Sequence, residues 1–351
     1  MEQDHLHFST ASRIVITIAS VTVVIAGMRA ASSILVPFLM ATFVAIISTP
    51  PLFWLQRKGL PMMAALIIVI MVVAGIGFGT AIAVGTSVDE FTRILPSYEA
   101  QLRLKLGGLL TWTQSLGVSI STEEFSKYLD PGAAVKLVTS LVNGVGNVLT
   151  DAFLVSLAVI FILIETSSFP DKLRAILANP DESMAHLDAF IENVKQYLVI
   201  KTIMSLITGA FIAVCLWIIG VDFPILWGWL AFFLNFVPYV GSIIAAVPAV
   251  LLALLELGGG AVAWTAGAYI AANVVVGNVI EPKYLGKGLG LSTVVVFVSL
   301  LFWGWVLGPV GMFLSVPLTM LVKIAVESDP KTKWIGILLG AQAPVEEQPS
   351  D

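Results

Sequence analysis

The stretch from Leu226 to Leu321 decides the fold, because one apolar pattern occurs in it twice. The first copy reads LWGWLAFFLNFVPYVGSIIAAVP, from Leu226 to Pro248, and the second reads FWGWVLGPVGMFLSVP, from Phe302 to Pro317. In each copy a Trp-Gly-Trp is followed by a break containing proline and glycine, and then by Val-Pro. Each copy sits in a nearly uncharged segment that is longer than the roughly 20 residues one membrane span needs. Paired, interrupted apolar segments of this kind point to the binding region of a membrane transporter.

The composition supports a membrane protein. Apolar residues make up 58% of the chain, charged residues only 12%, and the mean hydropathy is +0.97. Soluble domains carry roughly twice that share of charge. The net charge of −5 says little about partners, but the absence of a basic run argues against a nucleic-acid partner. We therefore expect a multi-pass protein whose main partner is the lipid bilayer.

The residues that metals and covalent catalysis need are scarce. Cys215 is the only cysteine and lies in an apolar run, while all three histidines lie outside the apolar runs. Neither a Walker A motif nor a Gly-x-Ser-x-Gly, Cys-x-x-Cys or His-Glu-x-x-His motif occurs. We expect no enzyme activity, no cofactor and no metal, so any transport is driven by an ion gradient or is passive.

Eight apolar segments organise the chain into an all-α polytopic membrane protein. They cover residues 14–28, 34–55, 61–85, 146–164, 197–219, 223–257, 261–280 and 291–326. Residues 1–86 are predicted to form three transmembrane helices, and 146–333 a transport core with a cytoplasmic amphipathic helix near 181–196. Residues 334–351 are predicted to be a disordered acidic tail.

Residues 87–145 differ in character from their surroundings. Charges recur about every fourth residue, yet apolar residues keep a helical spacing. This pattern predicts a small extracytoplasmic domain of amphipathic helices, broken near Pro96, Gly117 and Pro131.

Basic residues in short loops predict the orientation. Lys and Arg mark the loops at residues 57–58 and 283–287 and the C-terminal residues 331–333, whereas the loops near 222 and 258–260 have none. Cytoplasmic basic loops place both termini inside. Because the loops before and after the sixth segment lie on one face of the membrane, and those before and after the eighth segment lie on the other, each of these segments must leave by the face that it entered. We predict two interrupted hairpins that enter from opposite faces as an inverted pair; the alternative is two long, tilted helices with proline kinks.

The breaks in both hairpins are candidate site elements. Pro238 and Pro309 lack an amide donor, while Gly241 and Gly311 permit open backbone conformations. Together with Tyr239 and Gly308 they would expose backbone carbonyls to a solute or cation. The alternative for either break is a kink whose polar groups are satisfied by neighbouring helices.

A polar group of side chains lies in or beside the spans. Asn235, Asn273, Asn278 and Glu281 are its members, and α-helical spacing places Asn273, Gly277 and Glu281 on one broad face. A carboxylate at a membrane edge must be hydrated, protonated or paired, so Glu281 is predicted to take up a proton or a cation. The alternative, held evenly, places Glu281 in the loop beside Pro282, paired with Lys283 or Lys287.

Two further groups have simpler interpretations. Asp222 and Glu256 lie at loop edges and are expected to be solvated. The four tryptophans of the repeated pattern fit either an interfacial belt, which we prefer, or the lining of a cavity. They are Trp227, Trp229, Trp303 and Trp305.

Motifs in the C-terminal half carry a family resemblance. They are Pro238-Tyr239-Val240-Gly241, Gly277-Asn278-Val279-Ile280-Glu281-Pro282, Gly286-Lys287-Gly288-Leu289-Gly290-Leu291-Ser292, and Phe302-Trp303-Gly304-Trp305 running on to Gly308-Pro309-Val310-Gly311 and Pro317. On these residues the chain resembles the autoinducer-2 exporter family, also called PerM-like permeases. The N-terminal half agrees in layout only. The resemblance implies an inner-membrane transporter that assembles as a homo-oligomer, with a pentamer as the suggested order.

Three hypotheses for function follow. The first is export of a small polar solute such as autoinducer-2, a quorum-sensing signal, with Glu281 and Asn278 as the proton or cation group. The second is a sodium or lithium/proton antiporter that uses the same polar cluster, as some members of that family are. The third is a scaffold without transport activity, which binds a partner through residues 87–145.

Overall fold

The computed structural model describes residues 9–115, 139–140, 152–165, 169–176, 180–238, 240–285, 290–327 and 331–341. The α-helices in this part of the chain are α1 (Thr10–Ala30), α2 (Ser32–Arg57), α3 (Met62–Ser115), α4 (Ala152–Glu165), α5 (Phe169–Ile176), α6 (Pro180–Ile219), α7 (Pro224–Leu234), α8 (Gly241–Glu256), α9 (Gly259–Ala272), α10 (Glu281–Leu285), α11 (Thr293–Leu307), α12 (Pro309–Phe313), α13 (Ser315–Glu327) and α14 (Lys333–Leu339). A π-helical segment, Asn273–Ile280, joins α9 to α10.

The helices suit a bilayer, which requires every backbone polar group to be satisfied within the protein. Four helical stretches are long and apolar enough to cross: Ser32–Arg57, Met62–Tyr98, Ile191–Ile219 and Gly259–Ile280. Shorter apolar helices, α7, α8 and α11 among them, accompany these four. The described residues contain no strand. The protein is therefore an all-α, multi-pass membrane protein, as its composition predicts.

The sixth apolar segment folds back on itself. Its two ends meet, since the backbone N–H of Asp222 donates to Oε2 of Glu256 at 3.1 Å. Between these ends lie α7, a turn at residues 235–240, and α8. With 11 residues, α7 is about 16 Å long, roughly half the hydrocarbon thickness. We name Phe223–Leu257 hairpin A.

The eighth segment also reverses. Near its open end, Nζ of Lys323 donates to the carbonyl of Gly290 at 2.7 Å, which joins the chain before α11 to α13. Across the arms, Trp303 Nε1 donates to Thr319 Oγ1 at 3.0 Å. The reversal begins at Gly308, whose φ of +71° favours glycine. We name Leu291–Val326 hairpin B.

A glycine allows each hairpin to turn tightly. A Cβ on Gly241 would overlap the carbonyl oxygen of Leu234, and one on Gly311 would overlap that of Trp303. Both glycines are buried against the backbone of the preceding arm. The proline-glycine breaks that occur twice in the sequence are thus the two points at which the chain reverses.

The tips of the hairpins meet through aromatic rings. Phe236 in the turn of hairpin A lies 4.1 Å, centroid to centroid, from Phe313 of hairpin B. Phe43 of α2 packs edge-on against both, at 5.7 Å and 4.8 Å. Hairpin A is also held against α6, where the backbones approach so closely that a Cβ on Gly209 would lie 2.7 Å from the carbonyl oxygen of Gly228.

Two helices run across the predicted domain boundaries. Helix α3 continues without interruption from residue 86 to Ser115 with Pro96 inside it, so the predicted break near Pro96 does not form, and its apolar stretch extends to Tyr98. Most of the rest of the predicted outer domain, with Gly117 and Pro131, lies outside the described residues. The amphipathic helix near 181–196 and the fifth span form one 40-residue helix, α6. In the predicted tail, residues 334–339 are helical, because α14 packs against α13.

The tryptophans divide between core and surface. Trp227 is fully buried and Trp303 is 7% exposed, and both indole N–H groups have partners. Trp305 is 56% exposed, as an interfacial residue would be. The belt interpretation is therefore wrong for Trp227 and Trp303, which are the central side chains of the hairpin cores.

We expect the substitution Gly241→Ala to destabilise the protein, because the added methyl group meets backbone that cannot move aside. Overpacking of this kind costs roughly 1–3 kcal/mol, and it is measured as a lower unfolding temperature of the purified protein in detergent. Gly267→Ala is the matched control, since no atom lies within 4 Å of its added Cβ. Equal unfolding temperatures for the two variants would show that the turn has no such constraint.

Candidate functional site

A buried ion pair links α6 to the end of the π-helical segment. Nζ of Lys201 lies 2.6 Å from Oε1 of Glu281, and the two side chains are 8% and 14% exposed. Lys201 belongs to the Ile191–Ile219 stretch, which is apolar enough to span a bilayer. A charge at that depth is strongly unfavourable unless an opposite charge and hydrogen bonds compensate for it. Glu281 supplies both.

The π-helix positions Glu281. Its hydrogen bonds span five residues instead of four, which changes the angular spacing of the side chains. The first two residues of the predicted ladder, Asn273 and Gly277, nevertheless stay adjacent, because a Cβ on Gly277 would lie 3.2 Å from Oδ1 of Asn273. Asn273 is exposed, Gly277 is half-buried, and Glu281 is directed at α6. Segments of π-helix occur frequently at functional sites.

A second polar contact lies one turn along α6. Asn235, in the turn of hairpin A, donates from Nδ2 to Oγ of Ser205 at 2.9 Å. Tyr197, Lys201 and Ser205 follow one another at four-residue steps and are all buried, so they share one face of α6. This face holds both Glu281 and the tip of hairpin A. We name Lys201, Ser205, Asn235 and Glu281 the Lys201 cluster.

The remaining predicted site residues are not members of the Lys201 cluster. Asn278 is exposed, and Pro238 is half-buried in the turn, where its carbonyl accepts from the N–H of Val240. Tyr239 and the side chain of Pro282 lie outside the described residues. Gly308, Pro309 and Gly311 form the tip of hairpin B, which joins hairpin A through phenylalanine rings and not through the Lys201 cluster.

Glu281 is paired with a residue of another helix. One alternative in the sequence analysis offered Lys283 or Lys287 as its partner; Lys287 lies outside the described residues, and the ion pair that the structure shows is with Lys201. Lys201 and Ser205 are the site residues that the sequence interpretation missed. The available signal was a lysine inside an otherwise apolar span, because an ionisable residue within a membrane helix is functional by default.

A second polar group closes the base of hairpin A. The hydroxyl of Tyr98, on α3, lies 2.8 Å from Oε1 of Glu256 and 3.2 Å from Oδ2 of Asp222. Nζ of Lys105 donates to the carbonyls of Leu254 and Leu255 at the end of α8. Asp222 remains exposed, but Glu256 is partly buried and fully engaged, so the expectation that both are simply solvated is corrected for Glu256. We name Tyr98, Asp222 and Glu256 the hairpin-base cluster.

Neither cluster has the composition of a metal site. Among the residues that the structure describes, no three His, Cys, Asp or Glu side chains come together. What the Lys201 cluster offers is a paired charge and two amide or hydroxyl groups in an apolar setting, which suits a polar solute or a proton.

Comparison with known proteins identifies similar chains. A family model described as "AI-2E family transporter" matches residues 14–330. The AI-2 transport protein TqsA of Escherichia coli (strain K12) is 38% identical over 327 residues, which cover 93% of this chain and 95% of TqsA. A putative transport protein of Haemophilus influenzae is 38% identical over 93% of this chain and 96% of its own length. The putative transport protein YhhT of Escherichia coli is 36% identical over 97% of both chains.

We expect Lys201→Met to destabilise the protein by roughly 3–5 kcal/mol, because it leaves the Glu281 carboxylate buried without its partner. The double variant Lys201→Met/Glu281→Leu should recover most of that loss, since it removes both charges together. Chemical denaturation in detergent of the wild type, Lys201→Met, Glu281→Leu and the double variant completes a double-mutant cycle. Lys195→Met, which breaks the more exposed Lys195–Glu192 pair of the same helix, is the control and should change stability by about 1 kcal/mol or less. Additive effects in the cycle would show that the buried pair is not coupled.

Proposed function

The chain belongs to the AI-2E transporter family, and from that premise we propose that it exports a small polar solute such as autoinducer-2. The relative TqsA is named as an AI-2 transport protein, which makes autoinducer-2 the first solute to test. Transport by this chain would be passive or driven by an ion gradient, because its sequence holds no nucleotide-binding motif.

The Lys201–Glu281 pair is the observation that carries the proposal. Burying this ion pair in an apolar bundle costs more free energy than burying an apolar pair of similar size. A role beyond stability is therefore the better explanation for the pair. The pair lies one helical turn from the contact between Ser205 and Asn235. A polar solute that enters beside hairpin A would meet two charged and two neutral hydrogen-bonding groups within one helical turn of each other.

The hairpins provide the movable element of the proposed pathway. Hairpins A and B meet tip to tip through Phe236 and Phe313, and these aromatic contacts are apolar. Parting these rings would open a passage beside the Lys201 cluster without breaking any helix. Inverted, broken elements that meet near the bilayer midplane are how many transporters form a site open to either side.

We further propose a bacterial inner-membrane location with both termini in the cytoplasm, and assembly as a homo-oligomer. In this orientation hairpin A enters from the outer face and hairpin B from the inner face. The support is the distribution of Lys and Arg: the base of hairpin A carries neither at residues 220–223 or 257–260, while Lys283 and Lys331 flank hairpin B.

Cysteine labelling tests the orientation. In a Cys215→Ala background, Leu257→Cys should react with a membrane-impermeant maleimide added to intact spheroplasts. Lys283→Cys should react only after the membrane is permeabilised. Both native side chains are exposed in the structure, so access depends on the membrane alone. Labelling of both positions from the same side would overturn the inverted arrangement.

Transport itself is tested in vesicles. We expect inverted vesicles that contain the protein to accumulate labelled autoinducer-2, and Glu281→Gln to lower the initial rate by roughly tenfold, which corresponds to about 1.4 kcal/mol in barrier height. Glu192→Gln is the matched control, because Glu192 also pairs with a lysine of α6 but is 65% exposed. Wild-type rates in Glu281→Gln would remove Glu281 from the pathway.

A sodium or lithium/proton antiporter is the second candidate, and one observation favours it. The ammonium of Lys201 occupies the position against Glu281 that a monovalent cation would take. In the same vesicles, proton movement that depends on added sodium, without any solute, would favour the antiporter. Proton movement that depends on autoinducer-2 would favour the exporter.

A further inference from the structure

Three buried hydroxyl groups lie on the helices that lead to the ion pair. The side chains of Thr208, Thr265 and Tyr269 are 7%, 0% and 5% exposed. None of the three hydroxyl groups has a hydrogen-bond partner within the described part of the protein. Buried polar groups in native proteins are almost always hydrogen-bonded to protein or to ordered water. A fourth such hydroxyl, that of Ser315, belongs to hairpin B.

The three hydroxyls follow the two helices of the ion pair. Thr208 lies seven residues, about two turns, beyond Lys201 and therefore on the same face of α6. Thr265 and Tyr269 are one turn apart on α9, the helix that continues through the π-helical segment to Glu281. Helices α6 and α9 contact each other. Thr208 thus lies on the face of α6 that holds Glu281, and Thr265 and Tyr269 are buried on the helix that leads to Glu281.

Their heights along the bundle form a series. From Lys201, Thr208 is about 10 Å along the axis of α6 at a rise of 1.5 Å per residue. Tyr269 precedes Glu281 by 12 residues on the continuous stretch of α9 and the π-helical segment, which places it about 18 Å from Glu281 along the axis. Thr265 lies about 6 Å further along α9. One water molecule bridges about 6 Å with two hydrogen bonds, so the step from Tyr269 to Thr265 needs one water and the longer steps on either side of Thr208 need more than one.

The far end of the series is the hairpin-base cluster. Helix α8 ends at Glu256, three residues before α9 begins. The single phenolic proton of Tyr98 serves only one of the two carboxyl groups that it contacts, at 2.8 Å and 3.2 Å. Both contacts are hydrogen bonds only when one carboxyl group is protonated and donates to the phenol oxygen. This cluster is therefore arranged to hold a proton.

We propose that Thr265, Tyr269 and Thr208 form a water-bridged proton path between the hairpin-base cluster and Glu281. A proton leaves the carboxyl pair of Asp222 and Glu256. Each hydroxyl or water oxygen then accepts one proton and passes on another, and the last proton binds the carboxylate of Glu281. Neutral Glu281 releases the ammonium of Lys201, the charged group that faces it, and the proton leaves on the opposite side.

The path deepens the proposed function, on which it rests, by naming the proton as the coupling ion. When Glu281 is neutral, Lys201 loses its charged partner, and the cluster that binds the solute changes in the same event. Tyr197 lies one turn from Lys201 on the same face, and Lys105 binds the carbonyls beside Glu256, so both ends of the path are held by charged or titratable neighbours.

The test uses the full chain in liposomes and separates two fluxes. A pH-sensitive dye inside reports proton movement when labelled autoinducer-2 is added, and exchange of autoinducer-2 at equal concentration on both sides reports solute movement alone. We expect Tyr269→Phe to lower the solute-dependent proton flux by roughly tenfold or more and to leave exchange unchanged. Thr208→Val and Thr265→Val, which keep the shape of the side chain, should act in the same way. Tyr284→Phe alters an exposed tyrosine and is the control.

Other results would overturn the proton path or the proposed function. Wild-type proton flux in all three hydroxyl variants would overturn the path. A raised KM for exchange, with the ratio of protons to solute unchanged, would overturn it in favour of hydroxyls that bind the solute. If the wild-type protein moves no autoinducer-2, the proposed function fails for that solute. The path is then tested without solute, by measuring proton entry into the liposomes under a potassium diffusion potential. Proton entry in the wild type that Tyr269→Phe abolishes would support the path, and a wild-type protein that admits no protons would overturn it.

Discussion

A lysine ammonium inside an apolar helix bundle must have an opposite charge within hydrogen-bond distance, and Lys201 has only Glu281 there among the described residues. This requirement ties α6 to the end of the π-helical segment. Because Ser205 lies one turn away and binds Asn235, the same face of α6 also positions the tip of hairpin A. The position of the candidate site therefore follows from one charge that must be compensated.

The hairpins depend on a related constraint. A chain that reverses within a bilayer must satisfy its backbone groups inside the protein. Hairpins A and B do so with short helices that abut at a tight turn, and each turn is possible because Gly241 or Gly311 lies directly against backbone of the preceding arm. Contact between Phe236 and Phe313 then holds the two reversals together without polar groups. A rigid turn joined by a purely apolar contact is suited to moving as a unit.

The polar groups of the bundle are few, and they are not scattered. The Lys201 cluster lies at one end and the hairpin-base cluster at the other, and three hydroxyls without a partner among the described residues lie on α6 and α9. In a protein with 12% charged residues, the proposed routes of the solute and the proton rest on these few groups. Membership in a family of transporters agrees with such an arrangement.

The sequence by itself determined the fold class and the positions of the two proline-glycine breaks, because hydropathy and span length are local properties that decide how a segment fits a bilayer. Whether the chain reverses or only kinks at each break was decided by the tertiary structure. The sequence also singled out Glu281 and Asn235. Only the tertiary structure decided what these residues contact. Lys201 and Glu281 are 80 positions apart, and their contact depends on how α6 packs and on the changed angular spacing of the π-helix. Likewise, Trp227 and Trp303 are buried because the helix arms close around them, and periodicity within one segment does not reveal which face another segment will cover.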